Sequence, residues 1–141
     1  MTYSPTRRET MPIPVEPAVL SCYAANSSSE TNTLVYVPWK NCKLAHAYSV
    51  VVSACSATSA VTNIDLELNA ADGTEMMSIE VAAGTQAVGT IDEASITSQS
   101  ACENLSSDNA SRDAVNIEVD GPSDAGGAFM VYMYFEPWYG E

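Results

Sequence analysis

Apolar and polar residues alternate along most of this chain, and the alternation predicts a succession of β-strands rather than helices. The clearest case is residues 61–69, with Ile64, Leu66 and Leu68 on one face and Asn63, Asp65 and Glu67 on the other. Residues 74–82 repeat the pattern, setting Met77, Ile79 and Val81 against Ser78 and Glu80. Between them lies Asp72-Gly73, a pair that tolerates positive φ and so predicts a hairpin. Residues 112–120 alternate as well, with Val115, Ile117 and Val119 opposite Asn116, Glu118 and Asp120.

Earlier in the chain, residues 19–24 align Leu20, Cys22 and Ala24, and residues 33–37 are rich in β-branched and aromatic side chains up to Pro38. Residues 44–53 predict a long strand with Leu44, His46, Tyr48, Val50 and Val52 sharing one face, the setting of a core histidine. Residues 88–96 predict one or two short strands, and residues 99–111 a polar loop with a single helical turn. The last strand, 128–136, is apolar on both faces: Phe129, Val131, Met133 and Phe135 against Met130, Tyr132 and Tyr134. Such a strand is expected to be covered on both sides, centrally in a sandwich or at a subunit interface. Seven or eight strands separated by turn signals predict an all-β, antiparallel β-sandwich, and eight strands in two sheets make a jelly roll.

The N-terminus breaks the pattern. Pro5, Pro12, Pro14 and Pro17 exclude regular helix or central strand, so residues 1–18 are expected to form an extended, proline-rich arm ahead of a sandwich domain at 19–141. Met11 and Ile13, between prolines, give the arm an apolar side with which to dock. Arg7 and Arg8 offer a contact for an acidic partner. No apolar run follows these arginines, so the segment does not read as a secretory signal, and retention in the cytoplasm until release is expected.

Charge narrows the partners. Eighteen acidic residues against five basic ones give a net charge of −13 in 141 residues, which disfavours nucleic acid and anionic membranes. Cys22, Cys42, Cys55 and Cys102 contain no C-x-x-C pair, and buried thiols are expected. The single histidine, His46, has no second histidine, nearby cysteine or nucleophile motif to work with, so no enzyme and no cofactor is predicted. The carboxylates, among them Asp65, Glu67, Asp72 and Asp120, would allow a loop-bound calcium ion but form no recognisable twelve-residue calcium loop, and most read as solvated outer faces.

Three stretches carry a resemblance: Val37-Pro38-Trp39-Lys40-Asn41-Cys42-Lys43, then Leu66-Glu67-Leu68-Asn69-Ala70-Ala71-Asp72-Gly73-Thr74, and Ile117-Glu118-Val119-Asp120-Gly121 leading to Gly126-Gly127 and the aromatic last strand. Over residues 19–136 the chain resembles the small jelly-roll decoration (cement) proteins of tailed-bacteriophage capsids. The resemblance implies a homotrimer, assembled in the host cytoplasm and seated on the outer capsid surface of the virion, where it clamps the major capsid protein lattice. It implies capsid contacts from the arm (Arg7, Arg8, Met11, Ile13) and trimer contacts from the last strand (Tyr132, Tyr134, Phe135). The alternative is a carbohydrate- or receptor-binding sandwich, a fibre head or surface lectin, stacking sugars on Trp39, Trp138 and Tyr139.

Overall fold

A computed structural model describes residues 18–108 and 112–140, with the backbone alone at Ala57. The arm, with Arg7, Arg8, Met11 and Ile13, lies outside the described residues. Strands run β1 (Ala18–Ala25), β2 (Thr31–Tyr36), β3 (Cys42–Ser53), β4 (Cys55–Thr58), β5 (Thr62–Leu68), β6 (Glu75–Val81), β7 (Gly84–Gln86), β8 (Ile91–Glu93), β9 (Ser95–Ile96), β10 (Ala114–Asp120) and β11 (Ala128–Pro137). One helical turn, α1 (Gln99–Cys102), stands between β9 and β10. Ser98 caps it by accepting from the Ala101 N–H at 3.3 Å.

The pairing is nested. First pairs with last (β1 with β11), β2 pairs with β10, β3 with β8 and β5 with β6, all antiparallel. This is one long hairpin whose arms have folded over each other, joined sideways by β3–β11 and β5–β10. The products are a four-stranded sheet, β1-β11-β3-β8, and a five-stranded sheet, β2-β10-β5-β6-β9. That connectivity is a jelly roll. The short β4 and β7 form a separate ribbon, which the sequence pattern does not signal because its Ser, Ala, Thr and Gly residues show no alternation.

The expected inward residues fill the space between the sheets. Phe129, Val131, Met133 and Phe135 from β11 meet Ile64, Leu66, Met77, Ile79 and Ile117 from the other sheet, and all are essentially inaccessible to solvent. All four cysteines are buried free thiols, as expected. Burial pushes each thiol up, Cys102 to about 11, so none is poised as a thiolate nucleophile.

The face of β3 is the main correction. Tyr134 lies opposite His46 but Phe135 opposite Leu44, so Ala45 is an extra residue in the strand. Such a bulge reverses the alternation beyond it. Leu44 points inward, but so do Ala47, Ser49 and Val51, while His46, Tyr48, Val50 and Val52 turn outward. His46 is therefore not a core histidine; its side chain is on the outer face, with Nε2 3.3 Å from Glu93 Oε1. The strand has small residues facing the core because Phe129, Met133 and Phe135 on β11 already occupy that space.

The Asp72-Gly73 hairpin also differs in detail. It is a six-residue loop, closed by the Leu68 N–H donating to Thr74 O at 2.8 Å and the Gly73 N–H donating to Ala70 O at 3.0 Å. Asp72 takes the left-handed conformation (φ 60°). Gly73 serves by close approach instead, since a Cβ there would collide with the Leu68 carbonyl oxygen.

Adjacent residues of β11 should respond oppositely to truncation. Phe135→Ala is expected to cost about 3–5 kcal/mol of stability. Tyr134→Ala, on the outer face, is expected to stay within about 1 kcal/mol. Urea-unfolding midpoints of the two variants measure the difference.

Candidate functional site

Reversal of β3 exposes an apolar and aromatic surface on the outside of the four-stranded sheet. Strand register arranges it in rows: Val19–Tyr134–His46, then Ser21–Tyr132–Tyr48–Glu93, then Tyr23–Met130–Val50–Ile91. The Tyr48 and Tyr132 rings stack at its centre with centroids 5.1 Å apart and planes 18° from parallel. His46 leans on Tyr48 at 6.0 Å. At the margins, Tyr23 is 61% exposed and Ile91 60%, a degree of exposure that large apolar side chains show at interaction surfaces when they are contiguous. Within these rows the ionisable groups are His46, Glu93 and the tyrosine hydroxyls, so they carry little charge, and the next row on the same face holds the Lys43–Glu136 ion pair.

The expected interface residues divide between two environments. Tyr132 and Tyr134 lie on this face, half-buried and exposed respectively. Phe135 points the other way and is fully buried, so its side chain serves the core instead of a partner. Tyr23, Tyr48, Val50 and Ile91 join the surface although the alternation did not assign them to it. The available signal was that 44–53 carries bulky residues on one face and small ones on the other, with the bulky set assumed to be inside.

A second aromatic feature lies at the chain end. Trp138, Tyr139 and Gly140, with Asn41 and Asn104, line an open cleft of about 340 Å3. The Trp138 N–H donates to Asn41 O at 2.7 Å, which ties the segment to the β2–β3 connection. Trp39 is not part of this cleft and packs partly buried against the core.

Comparison with protein-family models, curated proteins and solved structures finds no match.

The five-stranded sheet presents the opposite chemistry. Its outer face carries Asp65, Glu67, Glu75, Glu80, Glu118 and Asp120, with Glu30 and Asp72 at its edges. The described cations are engaged elsewhere: Lys40 with Asp108 and Lys43 with Glu136, both at 3.7 Å, and Arg112 over the Tyr36 ring at 4.9 Å. Burial and crowding act together at Glu118. Burial, then the neighbouring Glu67, Glu30, Asp72 and Asp65 carboxylates, push its carboxyl up to about 7. Burial likewise raises Asp65, offset in part by the hydrogen bond from Ser78 Oγ at 2.7 Å.

The sign of the pH effect follows. The native protein holds the Glu118 proton more tightly than the unfolded chain between the usual carboxylate range and about 7. Stability should therefore be greater at pH 5 than at pH 8 in chelator-containing buffer, falling as pH rises through that window. Glu118→Gln, which cannot ionise, should flatten this slope in urea titrations at the two pH values.

Proposed function

We propose that this chain is a non-enzymatic assembly protein, a capsid decoration protein that self-associates through the outer face of its four-stranded sheet and stabilises a phage shell by binding its lattice. The observation that carries this reading is the contiguous, nearly uncharged face built around the Tyr48–Tyr132 stack. Its occupant is a second copy of the same chain. Copies that each carry a charge of −13 repel, and they approach most favourably through a face where the acids are few. The acidic five-stranded sheet then points away from the contact. A homotrimer formed in this way presents three arms, and Arg7, Arg8, Met11 and Ile13 supply contacts to the major capsid protein. Binding only to the assembled lattice shifts the equilibrium towards assembly, so decoration stabilises the shell by linkage. The location that follows is the outer surface of the virion.

The cleft of Trp138 and Tyr139 favours a second reading as a carbohydrate- or receptor-binding module. Tyr139 is 70% exposed, and two asparagines flank the rings, which suits stacking and hydrogen bonding to a sugar.

One set of variants separates these readings. Sedimentation equilibrium should find the wild type trimeric and a Tyr23→Ser, Tyr132→Ser double variant folded but monomeric. Removal of residues 1–17, which precede β1, should leave the trimer intact while abolishing co-sedimentation with assembled particles. A monomeric wild type would overturn the self-association, and unchanged particle binding without the arm would overturn its role. Glycan-array binding that Trp138→Ala removes, with no binding to particles, would establish the second reading in place of the first.

A further inference from the structure

The acidic face has one group whose surroundings are incomplete as an ordinary surface carboxylate. Glu118 is only 9% exposed, on β10 between β2 and β5, and its Oε2 is buried with no hydrogen-bond donor. A buried carboxylate oxygen left unpartnered is costly, so a group is expected to satisfy it. Glu118 shares a cluster with Glu67 and Asp72, in which one carboxylate oxygen from each lies within 4.8 Å of the others.

The other two members are held in position. Glu67 follows a bulge in the β5–β6 pairing, and its Oε1 accepts from the Asp72 N–H at 3.2 Å and from Asn116 Nδ2–H at 3.0 Å. Both donors bind one oxygen, which orients the carboxylate and leaves Oε2 for another partner. Asp72 arrives from the hairpin loop on its left-handed backbone. Its side chain is exposed, so one side of the cluster is open to water. None of the lysines or arginines among the described residues neutralises these acids, since Lys40, Lys43 and Arg112 are engaged elsewhere.

We propose that Glu67, Asp72 and Glu118 form a calcium site that fastens the 69–74 hairpin loop to the outer face of the five-stranded sheet. The donor set is oxygen only, which suits a hard cation and gives zinc or copper neither imidazole nor thiolate. Calcium binds oxygens at about 2.3–2.6 Å, so any two ligands of one ion stand at most roughly 4.6–5.2 Å apart, a limit these three oxygens meet. Three carboxylates with water completing the shell match calcium's loose geometry. Magnesium is smaller, demands a tighter octahedron and retains most of its water. This site is independent of the self-association described above, because it lies on the opposite sheet.

The test uses full-length protein stripped with a chelator and titrated with calcium chloride by calorimetry. One ion per chain is expected, with a dissociation constant of about 0.1–1 mM, in the range of weak extracellular calcium modules. At calcium about a hundredfold above that constant, Tm should rise by roughly 5–10 °C, and magnesium should do much less. Asp72→Asn, at an exposed position that folding tolerates, and Glu118→Gln should each remove the heat and the Tm shift. Glu80→Gln, on the same face but outside the cluster, should retain both. Absence of heat from calcium would overturn the site and leave Glu118 satisfied by a proton. Equal calcium responses in wild type and Asp72→Asn would also overturn it, showing diffuse screening of the acidic face. An equal response to magnesium would overturn the assignment to calcium.

Discussion

The register between β3 and β11 is the constraint on which the rest of this molecule depends. β11 lies between β1 and β3 and sends four large side chains, Phe129, Val131, Met133 and Phe135, into the core. With that volume occupied, the facing strand accommodates Ala47 and Ser49 more readily than Tyr48 and Val50. The extra residue at Ala45 allows this, turning Leu44 inward at one end of β3 and the bulky residues outward beyond it. A single bulge thereby fills the core and creates an aromatic surface in the same step.

Charge is distributed to complement that choice. The acids gather on the five-stranded sheet, where strand pairing sets Glu118 beside Asp65 and diagonal to Glu67. Like charges on neighbouring strands destabilise a sheet, and here burial and the neighbouring carboxylates push the Glu118 carboxyl up to about 7, the described basic side chains being engaged elsewhere. On the four-stranded sheet the rows around the Tyr48–Tyr132 stack carry few charges, so the two outer faces differ sharply in acid content.

Nested pairing connects the two faces. The β5–β6 hairpin is the innermost turn of the folded-over ribbon, and its loop returns Asp72 to the sheet beside Glu67. The outermost pair, β1 with β11, carries Val19, Tyr23, Tyr132 and Tyr134 on the aromatic side. Candidate ligand chemistry and candidate docking chemistry therefore lie on opposite sheets.

Much of the fold was legible in the chain itself. Period-two alternation in 61–69, 74–82 and 112–120 identified β5, β6 and β10 with their inward faces, whereas 128–136, expected to be covered on both faces, is covered in the single chain on its core side only, with Tyr134 36% exposed on the other. These assignments succeed because alternation is a local consequence of strand geometry and needs only one buried face. The β4–β7 ribbon, the reversal within β3 and the grouping of Glu67, Asp72 and Glu118 were not legible. A bulge depends on which partner strand is opposite, and the carboxylate cluster joins residues 46 positions apart between Asp72 and Glu118. Local alternation and composition were enough to specify an antiparallel sandwich rich in acid and poor in base. Tertiary structure alone decided which side of the four-stranded sheet its tyrosines would face, because only the volume of β11 in the core forces β3 to turn its bulky residues outward.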